Sequence, residues 1–215
     1  MKKLSEQRSL APRKTISDYP AMMKAAQLVF GSGFRLVGWQ FSETPPTPGK
    51  YVLIIAPHTS NWDFFLMISV AASLGRQVRF MGKHSIFMGP LGWLLRSLGG
   101  VPVERGSHHN FVAQMVDLFA QTDDMVLIIA PEGTRSKVAQ WKGGFYYMAH
   151  GAAVPIVPVC LDFAKKQVYF ADPFMPTGQY ADDIVKIQSA YHHVSACHPE
   201  QDSSHPSKNN ENACG

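Results

Sequence analysis

Long apolar runs, paired cysteines and charged residues are all scarce in this 215-residue chain, and each scarcity removes a class of protein. Cys160, Cys197 and Cys214 are too few and too scattered for a disulfide framework or a Cys-x-x-Cys zinc site, so a reducing compartment is expected. A bilayer-spanning helix needs about 20 consecutive apolar residues. The longest uncharged run, Gly143 to Leu161, has 19 residues, but His150, Gly151, Pro155 and Pro158 divide it into a helix, a turn and a strand. Met1-Lys2-Lys3 leads into Leu4-Ser5-Glu6-Gln7-Arg8 rather than an apolar stretch, and no export signal is expected there. No Gly-x-Ser-x-Gly elbow or Gly-x-x-x-x-Gly-Lys-Ser/Thr loop occurs, which argues against a serine hydrolase and a nucleoside-triphosphate loop. Gly31-Ser32-Gly33 with Gly38 has the wrong spacing for a dinucleotide fingerprint. His108-His109, His192-His193 and Cys197-His198 lack the spacing of a metal site, and no metal is expected.

What is present is a core. Hydrophobic residues make up 46% of the chain against 17% charged, and at roughly 150 residues per domain this implies one globular unit. The net charge of +4 is unevenly spread. Residues 1–41 carry seven basic side chains (Lys2, Lys3, Arg8, Arg13, Lys14, Lys24, Arg35) and two acids (Glu6, Asp18), while the rest of the chain nets −1. Basic arms seek anionic surfaces. Residues 20–41 are apolar-rich but interrupted by Lys24, Gln27, Arg35 and Gln40, a pattern that suits a helix lying on a membrane or on the protein's own core. A nucleic-acid partner is not expected, because the arm has little aromatic interleaving and the body is near neutral.

Apolar runs short enough for buried strands fall at 51–56, 77–81, 101–103, 125–130, 154–159 and 167–170. Longer helical stretches fall at 61–74, 86–97, 109–121, 142–150 and 180–194. Their alternation predicts a single α/β domain with a mostly parallel central sheet flanked by helices. Three segments are expected: a basic amphipathic N-terminal membrane-associating segment, 1–43; a catalytic domain, 44–195, opening on the stiff Thr-Pro-Pro-Thr-Pro-Gly stretch; and a disordered polar tail, 196–215.

Two candidate strands share the string Leu-Ile-Ile-Ala-Pro, followed by His58 in one and Glu132 in the other. Proline ends each strand, so both residues project from a strand's C-terminal end, where open parallel sheets bind ligands. In Pro57-His58-Thr59-Ser60-Asn61-Trp62-Asp63, capping by Ser60 or Asn61 would place Asp63 in a helix's first turn. A carboxylate there can fix the His58 tautomer and stabilise its imidazolium, leaving a substrate hydroxyl as nucleophile. Taken alone, the same pair also reads as a loop histidine and a capping carboxylate. Pro131-Glu132-Gly133-Thr134-Arg135-Ser136 offers backbone N–H groups and a guanidinium to an anion, or is a solvated turn. Leu98-Gly99-Gly100-Val101-Pro102-Val103-Glu104-Arg105 adds a second possible anion ligand.

These blocks, followed by Val154-Pro155-Ile156-Val157-Pro158-Val159, resemble the four ordered motifs of the glycerophospholipid (1-acylglycerol-3-phosphate) acyltransferase family. His58 and Asp63 match its His-x4-Asp, Gly99 to Arg105 its Gly-x-x-Phe-Ile-Asp-Arg block, and Pro131 to Arg135 its Phe-Pro-Glu-Gly-Thr-Arg block. The resemblance spans roughly residues 50 to 175, and Pro102, Glu104, Ala130 and Pro57 depart from the usual pattern. It implies an O-acyltransferase moving a fatty acyl group from acyl-CoA or acyl carrier protein to a lysophospholipid hydroxyl, peripheral at the cytoplasmic face of an anionic membrane. His58 and Asp63 would be catalytic. Lys83, Arg105, Glu132, Gly133, Thr134 and Arg135 would bind the acceptor. No cofactor is implied beyond the thioester co-substrate. A non-catalytic lipid-binding protein of the same fold and a transferase for a phosphate-free lyso-lipid are the alternatives.

Overall fold

The computed structural model describes residues 14–42, 49–103 and 108–204. Seven strands form one sheet: β1 (Gln40–Phe41), β2 (Tyr51–Ala56), β3 (Val78–Lys83), β4 (Gly100–Val103), β5 (Val126–Ile129), β6 (Ile156–Asp162) and β7 (Gln167–Phe170). The spatial order is β1-β7-β6-β2-β5-β3-β4. Pairing is parallel except between β6 and β7. The helices are α1 (Pro20–Leu36), α2 (Trp62–Leu74), α3 (Gly89–Ser97), α4 (His108–Ala120), α5 (Gly144–Gly151) and α6 (Tyr180–Ser189).

Every residue of β2, β5 and β6 is buried, which explains why their sequences read as unbroken apolar runs: helices cover both faces. Alternation along the strands divides the core in two. Leu53, Ile55, Phe80, Ile128 and Val159 face α1, α2 and α3, meeting Phe34, Leu66, Val70 and Leu95. Val52, Ile54, Leu127, Ile129 and Ile156 face α4, α5 and α6, meeting Met115, Phe119, Phe145, Tyr146 and Ile187. The result is three layers, helix on sheet on helix. On the α3 side the packing is close enough to demand glycine: a Cβ on Gly92 would stand 1.9 Å from the Phe87 carbonyl oxygen.

Two expected boundaries are corrected. Residues 14–42 are part of the domain rather than a separate segment. Phe34 stacks on Phe41, Trp39 meets Phe163 edge-on, and β1 adds a strand beside β7. These aromatic rings leave water by packing on the sheet's end. The chain also stays packed beyond residue 195: Ala196, Ser203 and Ser204 are buried, and a 3-10 turn runs over Pro199–Gln201. Polar composition suggested disorder, but here the polar groups are satisfied by loops of the domain. The Thr-Pro-Pro-Thr-Pro stretch, residues 1–13 and 205–215 lie outside the described residues.

Candidate active site

The C-terminal ends of adjacent strands β2 and β5 release two loops at one edge of the sheet. Pro57 and His58 follow β2, and Pro131 and Glu132 follow Ala130 after β5. His58 Nδ1 lies 3.2 Å from Asp63 Oδ2, with the histidine side chain 21% exposed and the aspartate 1%. The same Oδ2 accepts the Thr59 and Ser60 backbone N–H groups, each at 2.7 Å. Asp63 therefore reaches back over the start of α2 to close its own loop, while the Ser60 hydroxyl accepts from the Trp62 N–H at 3.1 Å. Two N–H donors and the positive end of α2 face this carboxylate. Its Oδ1 has no hydrogen-bond partner among the described residues. A proton on His58 Nδ1 faces Asp63, which leaves Nε2 as the basic nitrogen.

Glu132 follows β5 at the same sheet edge as His58. It is 0% exposed, and its Oε1 accepts the His58 backbone N–H at 3.1 Å. At this position it ties the β5 loop to the β2 loop from beneath. Burial pushes its pKa from the ordinary 4.5 up to about 8, opposed by the His58 hydrogen bond and aided by Asp202 and Asp63. The carboxyl is therefore largely protonated at neutral pH.

Gly133 follows with φ of +65°, a left-handed turn suited to glycine, and its N–H returns to Ala130 O at 3.1 Å. Thr134 Oγ1 accepts the Ser136 N–H at 3.3 Å. Arg135 is exposed. Lys83 is exposed at the end of β3, one strand beyond β5, and its register partner is Val103 of β4. Glu104 and Arg105, which follow Val103, lie outside the described residues.

Two contributors escaped the sequence reading. Lys142 Nζ stands where a Gly133 side chain would begin, 2.9 Å from that ideal Cβ, which brings a further cation to the turn. The segment 198–204 straps the two loops together from outside. The His198 N–H donates to Thr59 Oγ1 at 3.1 Å, and the Val138 N–H donates to Ser203 Oγ at 2.9 Å. The Gln201 amide, with its nitrogen toward the carbonyls, donates to Arg135 O at 2.7 Å and Thr59 O at 3.3 Å. No local motif marks such a strap, because its partners are backbone groups far away in sequence. Among the described residues no three His, Cys, Asp or Glu side chains gather as metal ligands. An apolar crevice between α1 and α2 is lined by Met23, Phe30 and Ile68, with Arg76 and Val78 at the opposite, N-terminal edge of the sheet.

The sequence profile described as Acyltransferase matches residues 37–162, which include β1 to β6 and both loops. A chloroplastic 1-acyl-sn-glycerol-3-phosphate acyltransferase of Brassica napus is 32% identical over 130 residues, 56% of this chain and 35% of the relative. The 1-acyl-sn-glycerol-3-phosphate acyltransferase of Escherichia coli is 28% identical over 150 residues, 65% of this chain and 60% of the relative. That of Haemophilus influenzae is 26% identical over 186 residues, 76% of this chain and 75% of the relative. The chain thus spans about a third of the length of the chloroplast relatives it matches. With a profile match over more than half its residues, laid on an α/β sheet of the expected kind, the chain belongs to the glycerophospholipid acyltransferase family.

Proposed function

We propose that this protein transfers a fatty acyl group from an acyl-CoA or acyl carrier protein thioester to the free hydroxyl of a lysophospholipid such as 1-acylglycerol-3-phosphate. The observation that supports this reading most is the His58 Nδ1 to Asp63 Oδ2 contact at the C-terminal edge of the sheet. His58 Nε2 takes the proton of the acceptor hydroxyl as its oxygen attacks the thioester carbonyl. Asp63 orients the ring and stabilises the imidazolium. Collapse of the tetrahedral adduct breaks the carbon–sulfur bond, and the imidazolium returns the proton to the leaving thiolate. Atoms and charge balance, and the chemistry asks for no metal or organic cofactor because the thioester is already activated.

Arg135 and Lys83, with Arg105, supply cations for the acceptor's phosphate, and Gly133 and Thr134 shape the turn beside it. Such an acceptor places the protein peripherally at a membrane, on its cytoplasmic face where thioester donors are made. Purified protein mixed with a thioester donor and a panel of lysolipids, read by mass spectrometry, tests the reading. Acylated product from 1-acylglycerol-3-phosphate is the expected result. Product only from acceptors without phosphate would move the assignment to a phosphate-free lyso-lipid, and lipid binding without any product would make the protein a non-catalytic homologue.

A further inference from the structure

The two helical layers have opposite surfaces. Of the sixteen exposed large hydrophobic residues among those described, thirteen lie in residues 19–37, 62–65 and 86–94, the α1–α2–α3 side, and three lie elsewhere. Val29 and Leu36 project from α1, Phe65 from α2, and Leu91, Trp93 and Leu94 from α3, with Trp93 73% exposed. Charge divides the same way. Residues 14–42 and 61–99 contain seven Lys or Arg, of which Lys14, Lys24, Arg35 and Lys83 are exposed while Arg79 is buried and Arg76 pairs with Asp124; against them stand the exposed Asp18 and the buried Asp63. On the other side, residues 108–125, 144–153 and 176–204 contain seven acids against Lys186 alone. Exposed apolar side chains set among cations, with Asp18 the single exposed acid in these segments, fit an anionic lipid surface better than a general protein surface.

We propose that the α1–α2–α3 layer docks flat on an anionic lipid bilayer, with Trp93, Leu94, Leu91 and Phe65 entering the headgroup boundary and Lys24, Arg35 and Lys83 facing lipid phosphates. This extends the membrane contact well beyond the basic N-terminal arm. The face reaches Trp62 at the start of α2, four residues after His58, so docking sets the active-site edge beside the membrane. An amphiphilic acceptor then need not leave the bilayer completely to present its hydroxyl. The proposal deepens the acyltransferase reading by naming the surface that presents the site to its lipid.

The test is sedimentation of the full chain with vesicles of phosphatidylcholine alone or mixed with phosphatidylglycerol, without any thioester. The absence of donor separates failure of docking from failure of the transfer reading. Trp93→Glu with Leu94→Glu, and separately Val29→Glu with Leu36→Glu, should each weaken partition into anionic vesicles at least tenfold. Met175→Glu with Val185→Glu, on the acidic side, should leave it unchanged. A second readout avoids disturbing the surface: brominated lipids should quench tryptophan fluorescence in the unaltered chain, and Trp93→Phe with Trp62→Phe should remove most of that quenching, because the other two tryptophans, Trp39 and Trp141, are buried. Full vesicle binding by the α1 and α3 variants, or equal losses from the acidic-side variant, would overturn the proposal. So would a dimer in solution that shields Trp93 and ignores vesicles, since a second copy would then be the occupant.

Discussion

Replacing Glu132 by glutamine tests whether a neutral carboxyl supports the His58 loop. The side chain is fully buried, Oε1 holds the His58 N–H, and Oε2 has no partner among the described residues. Its pKa stands at about 8, above the ordinary 4.5. An acid raised in this way keeps its proton longer in the folded state than in the unfolded chain, so stability falls as pH rises between the two values. The slope is about 1.4 kcal/mol per pH unit, and over this window the loss accumulates to the order of 4–5 kcal/mol. Glutamine keeps an oxygen to accept the His58 N–H and has nothing to ionise. Glu132→Gln should therefore match the wild type near about pH 5 and exceed it above about pH 8, with a gap in Tm on the order of 10 °C for a chain of this size. Thermal unfolding followed by circular dichroism across that range measures it. A gap that does not change with pH, or a wild type that gains on the variant as pH rises, would refute the argument.

Asp63→Asn should lower kcat by about 10²–10⁴-fold with little change in acceptor KM, because the amide cannot stabilise the imidazolium; steady-state kinetics separates the two. Asp63→Ala should in addition lose roughly 1 kcal/mol in urea unfolding, through the two N–H groups left at the start of α2. A chain ending at Ser204 should keep wild-type activity and Tm. One ending at Ser195 should lose both, because His198, Gln201 and Ser203 no longer hold the loops. Gly92→Ala should destabilise by about 1–3 kcal/mol, read from the urea midpoint, since its Cβ has no room beside the Phe87 carbonyl.

The central strands were legible because they are buried on both faces: 51–56 was expected and Tyr51–Ala56 is found. The two-residue β1 was not, since its place comes from the Phe34, Trp39 and Phe41 cluster and carries no period of its own. The antiparallel turn of β7 against β6 was also hidden, because single-strand patterns say nothing of direction. At the site, the His58 and Asp63 spacing anticipated their approach. The burial of Glu132 could not be read from a motif that places it beside Arg135, because only the crossing of two loops decides which of these side chains points inward. The strap at 198–204 failed the compositional test for order since polar side chains bonded to backbone look the same in sequence as polar side chains in water.

The reading stands or falls on His58. His58→Ala keeps the backbone N–H that Glu132 accepts, and the side chain removed is partly exposed, so the fold should survive with little change in Tm. Transfer from a thioester donor to 1-acylglycerol-3-phosphate, measured by mass spectrometry with purified protein, should fall by about 10³-fold or more. A folded His58→Ala protein that acylates at close to the wild-type rate would contradict the mechanism.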